Sequence, residues 1–261
     1  MIEIIPQLKN IDKYVTFAEE NNLSFEYNDF FVPDILDDKD EIRKRINIYK
    51  NLNRSRENDT LHGAFYDIVH FSPDKKVKEL SIKRMKQTLD IALELGCKGI
   101  IFHSNIVSVF ANSEFYVKSW LEDSIETIKY LIKESNNSIE IYFENMLDSS
   151  PKYLCQLTEH LKYEKNFGIC LDIAHLHVMG KEPVELWFKE LSPFIKHFHL
   201  NDTNLRYDDH LAIGSGKINW LEIDKLIQKH NLRNVSKLIE VNSLDKIKKS
   251  IDYISNHDIL K

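Results

Sequence analysis

The feature that most limits how this 261-residue chain can fold is an alternation. Short runs rich in β-branched and aromatic residues recur along it, and stretches of helical period separate them. The strand-like runs are MIEIIP (1–6), SFEYNDFF (24–31), DTLHGAF (59–65), GIIFHS (99–104), SIEIYFEN (138–145), FGICLDI (167–173), IKHFHLN (195–201) and KLIEVN (237–242). The clearest helical stretch is 75–96. Val77, Leu80, Ile82, Met85, Leu89, Ile91 and Leu93 recur there at helical spacing, Pro73 and Asp74 precede it, and Gly96 stands where a helix stops. Stretches 115–135 and 244–257 read the same way. Eight strands alternating with seven or eight helices are closed most economically into a single (β/α)8 barrel, with a doubly wound open sheet as the competing α/β solution. No Pro/Gly/Ser-rich linker interrupts the alternation, so residues 1–261 read as a single TIM-barrel domain. The highly charged segment 33–58 is expected to form a surface helix with a frayed end.

Composition removes several function classes. The net charge is −6 with no Lys/Arg stripe, which gives no electrostatic footprint for nucleic acid. None of the seven glycines belongs to a dinucleotide fingerprint, a P-loop or a nucleophile elbow. Cys97, Cys155 and Cys170 lack C-x-x-C spacing and predict free thiols in a reducing compartment. The N-terminal stretch shows no signal-peptide pattern, and no apolar run approaches the roughly 20 residues a membrane helix needs. The expectation is a cytoplasmic protein with no membrane contact.

In a parallel barrel, chemistry belongs at the C-terminal ends of the strands. The third to eighth strand-like runs end with His62, His103, Glu144, Asp172, His199 and Glu240, with steps of 41, 41, 28, 27 and 41 residues. His175 follows Asp172 closely, and the loop after the seventh strand carries Asp208 and His210. A lone strand-end histidine is usually a hydrogen-bonded core residue, and a lone strand glutamate is often half of an ion pair. Imidazole or carboxylate at six successive strand ends has a more economical shared cause, a site for Zn²⁺ or Mn²⁺. Nine donors suffice for one to three divalent ions per chain. Five imidazoles disfavour Mg²⁺ or Ca²⁺ alone. Other readings follow from position. Tyr66, Asn105, Asn145 and His177 are placed to touch a substrate. Arg206, Lys217 and the backbone N–H groups at Ser215 and Gly216 are placed to meet a phosphate. His197 is expected to pack against the helical layer, and His70, His160, His230 and His257 to be surface or helix residues.

The motifs LHGAFY, IIFHS, YFENM, CLDIAH, HFHLND, DDHLAIGSGKINW and LIEV, in this order, resemble the xylose isomerase-like TIM barrels. These include sugar phosphate isomerases and epimerases and abasic-site nucleases of the endonuclease IV (AP endonuclease family 2) type. The resemblance spans about residues 59 to 242. On the isomerase side it implies one ion held by Glu144, Asp172, His199 and Glu240. Glu144 and Glu240 would then move a proton on a sugar, sugar phosphate or polyol. On the nuclease side it implies that all nine donors hold zinc. The surroundings depart from the nuclease pattern at Ile173-Ala174, at Asn204 where a lysine is usual, at Asp209 where a basic residue is usual, and in PQLKNIDKY after the first strand. The departures favour the isomerase or epimerase branch, with a small carbohydrate rather than nucleic acid as partner. Barrels of this kind are often dimers or tetramers, so a homo-oligomer is expected.

Overall fold

The computed structural model describes residues 1–260. Eight parallel strands close into a barrel in sequence order: β1 (Ile2–Ile4), β2 (Ser24–Tyr27), β3 (Thr60–His62), β4 (Gly99–His103), β5 (Glu140–Glu144), β6 (Phe167–Asp172), β7 (Ile195–Leu200) and β8 (Ser236–Ile239). Around them run α1 (Ile11–Asn21), α2 (Pro33–Asp37), α3 (Lys39–Lys50), α4 (Lys75–Leu95), α5 (Glu114–Glu134), α6 (Lys152–Leu161), α7 (Ile173–Val178), α8 (Val184–Leu191), α9 (Trp220–Lys229) and α10 (Leu244–His257). The expected (β/α)8 architecture is therefore the one observed. Strands are shorter than the runs that announce them, since the last residues of each run lie past the strand end.

Local signals account for the element ends. Asp74 caps α4 by accepting from Lys76 N, and Gly96 closes it at φ +74°. Segment 33–58 departs from the single frayed helix expected of it. Asp38 leaves the helical conformation and accepts from the N–H groups of Asp40 and Glu41, so its carboxylate starts a new helix, α3. Buried Leu36, Ile46 and Tyr49 tie both helices down.

Strand residues alternate between two buried faces. Ile4, Phe25, Leu61, Ile100, Phe102, Ile141, Phe143, Ile169, Leu171, Phe198 and Ile239 join the apolar layer under the helices, which includes the fully buried Trp120, Trp187 and Trp220. The opposite parity fills the barrel interior. Ile101, Tyr142 and Cys170 form a small apolar cluster there. Gly99 makes room for Tyr142, since a Cβ at residue 99 would lie 2.5 Å from its ring. Across the interior the layer is polar: Glu3, Glu26, Thr60, His197 and Ser236, all buried.

Two histidines depart from expectation. His197 faces the interior rather than the helical layer, because it lies two residues before His199 and so shares its face. Its Nδ1 lies 2.7 Å from Ser236 Oγ. His70 is fully buried and not a surface residue. Its Nε2 lies 2.8 Å from Ser124 Oγ of α5, and burial pushes its pKa down to about 3. His160 and His257 lie exposed on helices, and the half-buried His230 caps the end of α9. The three cysteines are free thiols. Among the described residues no helix is long and apolar enough to cross a membrane.

Candidate metal centre

The donors at the strand ends meet above the barrel core. His62 Nε2 lies 3.2 Å from His103 Nε2, and Glu144 Oε2 lies 3.7 and 3.4 Å from these two nitrogens. Glu144 Oε1 lies 3.1 Å from His175 Nδ1. His199 Nδ1 faces Glu144 Oε2 at 3.3 Å and Glu240 Oε2 at 3.5 Å. Asp208 Oδ2 lies 3.3 Å from His175 Nε2 and 2.9 Å from His210 Nε2. Within this donor set three groups have ligand atoms all within 4.8 Å of one another: His62–His103–Glu144, Glu144–Asp172–His175 and Asp172–His199–Glu240. Glu144 and Asp172 each belong to two of them.

The rings are aimed by their surroundings. Nδ1 of His62, His175 and His210 lies 3.0, 2.9 and 2.9 Å from the carbonyl oxygens of Gly63, Asn145 and Glu240. Donation of Nδ1–H there turns the Nε2 lone pair toward the other donors. His210 adopts φ +44°, a conformation that costs about 1–3 kcal/mol outside glycine. The loop around it is held by Asp202, on which sequence reasoning was silent. The Asp202 carboxylate accepts from the N–H groups of Thr203, Gly214 and Ile218 and from Trp220 Nε1. A Cβ at Gly216 would lie 2.3 Å from Asp202 Oδ1, so only glycine fits there.

The electrostatics are compatible with a bound cation. Both oxygens of Glu144, Asp172 Oδ2, both ring nitrogens of His199 and His103 Nδ1 are buried without a hydrogen-bond partner. Burial pushes the Glu144 carboxyl up, but His199 and His103 outweigh it and hold it well below the usual range. Burial drives the Asp172 carboxyl well up against the pull of His175. Burial disfavours charge on His175, yet Asp172, Asp208 and Glu144 raise it well above its ordinary value. His210 is pushed up to about 10, Glu240 and Asp208 overcoming its burial. Protonated imidazoles thus balance buried carboxylates where a divalent ion would do so by displacing those protons. Orphaned buried atoms and a carboxylate–imidazole donor set fit zinc or manganese.

A cavity of about 390 Å³ opens onto the donors. Ile5, Phe31, Phe65, Met146 and Val241 give it an apolar wall, and Gln7, Asn28 and Asn242 add polar groups. Among the described residues no lysine or arginine lines it.

Residues 15–257 match the family model described as xylose isomerase-like TIM barrel. The chain belongs to that family. Among relatives of this xylose isomerase-like barrel, uncharacterized protein MJ1311 of Methanocaldococcus jannaschii is 26% identical over 197 residues, covering 72% of this chain and 66% of that protein. A probable endonuclease 4 of Bacillus subtilis is 25% identical over 208 residues, covering 73% and 68%. The aligned stretch thus spans about two thirds of each relative. Among solved structures, a D-tagatose 3-epimerase-like protein superposes with TM-score 0.78 at 22% identity, covering 98% of this chain and 97% of that one. The TTHB071 protein from Thermus thermophilus, soaked with ZnCl2, gives 0.75 at 19%, covering 98% and 96%. At such identities these two speak to the fold alone.

The barrel brings His62, His103, Glu144, Asp172, His175, His199, Asp208, His210 and Glu240 into one contact network. The residues read as substrate contacts are placed less uniformly. Tyr66 is half-exposed beside Phe65, ring centroids 4.3 Å apart. The Asn145 side chain is occupied by the backbone of Asp172, donating to its O and accepting from its N. Asn105 Nδ2 donates to Ile68 O, and His177 Nδ1 lies 2.7 Å from Ile173 O within α7. Arg206 and Lys217 are exposed. Of the two N–H groups expected to meet a phosphate, that of Ser215 donates to Ala212 O, an oxygen of the chain itself.

Proposed function

We propose that this barrel is a divalent-metal-dependent phosphoester hydrolase of the endonuclease 4 kind, acting on a small substrate. The donor set supports this reading. A one-ion isomerase site needs four residues, and five more lie in the same network, with Glu144 and Asp172 shared between groups. The net charge of −6 and a cavity without lysine or arginine among its described lining residues favour a small phosphoester over a nucleic-acid duplex. Bound divalent ions would supply positive charge for a phosphate and a water acidic enough to attack it near neutral pH. Glu144 and Asp172 would each serve two ions, the imidazoles would complete their shells, and Phe31 and Phe65 would exclude bulk water. The test pairs elemental analysis with hydrolysis of bis(4-nitrophenyl) phosphate. The expected result is two or more ions per chain and cleavage that is lost in Glu144→Gln. One ion per chain with no cleavage would overturn it.

A separate observation supports a second reading, a metal-dependent sugar, sugar phosphate or polyol isomerase or epimerase. Glu144 and Glu240 approach His199 Nδ1 at 3.3 and 3.5 Å, and Asp172 completes the four-residue set. One glutamate would take a proton from carbon and the other return it. Deuterium entering a ketose C–H from D₂O with one ion per chain would be its signature.

A further inference from the structure

Four of the five clustered imidazoles can be compared by what stands behind them. His62, His175 and His210 each place Nδ1 against a backbone carbonyl, which fixes Nε2 as the nitrogen offered to the site. His199 has no carbonyl behind it. Its Nδ1 faces Glu144 and Glu240, and its Nε2 lies 3.4 Å from Glu26 Oε2. Glu26 comes from β2, a strand that contributes no donor to the centre, and it is fully buried. It is itself enclosed by a polar layer. His197 Nε2 lies 3.3 Å from the same oxygen, and Thr60 Oγ1 lies 3.0 Å from it while donating to Glu3 at 2.6 Å. The other nitrogen of His197 lies 2.7 Å from Ser236 Oγ, so that ring is pinned from behind.

We propose that Glu26 is the positioning residue for His199, its carboxylate accepting from Nε2–H so that Nδ1 is the nitrogen presented to a cation beside Glu144 and Glu240. The inference rests on the metal-centre reading. A carboxylate behind a ligating imidazole fixes its tautomer and ring orientation and raises its basicity, and losing such a partner weakens metal binding by about 10–100-fold. Glu26 would do for His199 what main-chain oxygens do for the other three rings, and a negative charge does it more strongly. The polar layer of Glu3, Thr60, His197 and Ser236 then has a definite task, which is to keep the Glu26 carboxylate in place beneath the centre.

The test is zinc affinity of the purified protein by competition with a chromophoric chelator, together with ¹⁵N NMR of the histidine rings in the zinc-loaded wild type. The expected spectrum shows His199 protonated at Nε2 and zinc-bound at Nδ1. Affinity should fall at least tenfold in Glu26→Gln and further in Glu26→Leu, with both melting temperatures recorded. Zinc at Nε2 of His199, or wild-type affinity in a folded Glu26→Gln, would overturn the role of Glu26 and leave the metal centre standing. The NMR measurement decides the matter even if both variants misfold. A wild type that binds no zinc would overturn the centre and this inference together.

Discussion

Asp202→Asn changes one atom type at a point where four donors converge, and its cost can be worked from the contacts. Asp202 is fully buried. Oδ1 accepts from Thr203 N at 2.9 Å and Ile218 N at 3.1 Å, and Oδ2 accepts from Gly214 N at 2.9 Å and Trp220 Nε1 at 3.0 Å. An asparagine can serve one of these pairs with its carbonyl oxygen. Its NH₂ group then points donors at the other pair, which lose their acceptor. Each buried donor left unpaired costs about 1–3 kcal/mol, so the substitution should destabilise by about 4 kcal/mol. At this chain length each kcal/mol shifts the melting temperature by about 2–4 °C, which predicts a fall of about 8–16 °C by calorimetry. The loss should be unevenly distributed. Asp208 and His210 ride on the loop that Asp202 holds, and Leu211 pairs directly with residue 202. Metal affinity should therefore fall in the same variant while the far side of the barrel keeps its hydrogen-exchange protection. A melting temperature within about 2 °C of wild type, with metal affinity unchanged, would refute the claim that this carboxylate organises the loop.

Two buried groups give the stability opposite pH slopes. Burial raises the Asp148 carboxyl to about 7 despite hydrogen bonds from Ser104 Oγ and Met146 N. An acid whose pKa is higher folded than unfolded binds more protons in the native state, so its contribution to stability declines as pH rises from about 4 to 7. Asp148→Asn should remove that decline in urea titrations, and the variant should gain on wild type by a few kcal/mol, about 1.4 per pKa unit, between pH 4 and 8. An equal pH slope in both proteins would count against it. His70 acts in the other direction. Its pKa is about 3 folded against 6.5 for the free side chain, so stability is lost as pH falls through that window. His70→Phe would join Phe71 and Phe143 around the same position and should flatten the acid limb of the stability curve. An acid limb as steep as wild type would show that protonation lies elsewhere.

The barrel and its donor rim were legible because both obey simple periods. Strand-like runs alternate with helical ones, and the strand-end donors His62, His103, Glu144 and Asp172 close β3 to β6 in the structure. The polar layer beneath them was missed for a physical reason. Glu3 and Glu26 alternate with apolar neighbours in MIEIIP and SFEYN, which in an open sheet would mean a solvent-facing side. In a closed barrel that side is the interior, where a carboxylate needs a partner as much as Glu144 does. The His197 misreading violates the two-residue period that places His199. Asp202 and His70 gave no local signal. The partners of Asp202 arrive up to 18 residues later and that of His70 54 residues later, so only the folded chain shows what they hold.

A barrel can carry this many ionisable groups at its centre because its two strand faces do different work. The outward faces are largely apolar and pack under the helices, where most of the core lies. The interior is divided: Ile101, Tyr142 and Cys170 fill the side of β4 to β6, while Glu3, Glu26, Thr60, His197 and Ser236 fill the side of β1 to β3, β7 and β8. Tyr142 stacks on His197 at 5.7 Å between ring centroids where the two halves meet, and both halves are buried. In such surroundings carboxylates keep their charge only beside positive charge. Protons on His175, His199 and His210 supply it in the absence of an ion, and a divalent ion would supply it without holding those rings in their charged form. Cation binding at the rim and the electrostatic balance of the barrel core would then be one equilibrium. A cation that binds the folded chain must also stabilise it, and competition from protons must weaken its binding as pH falls.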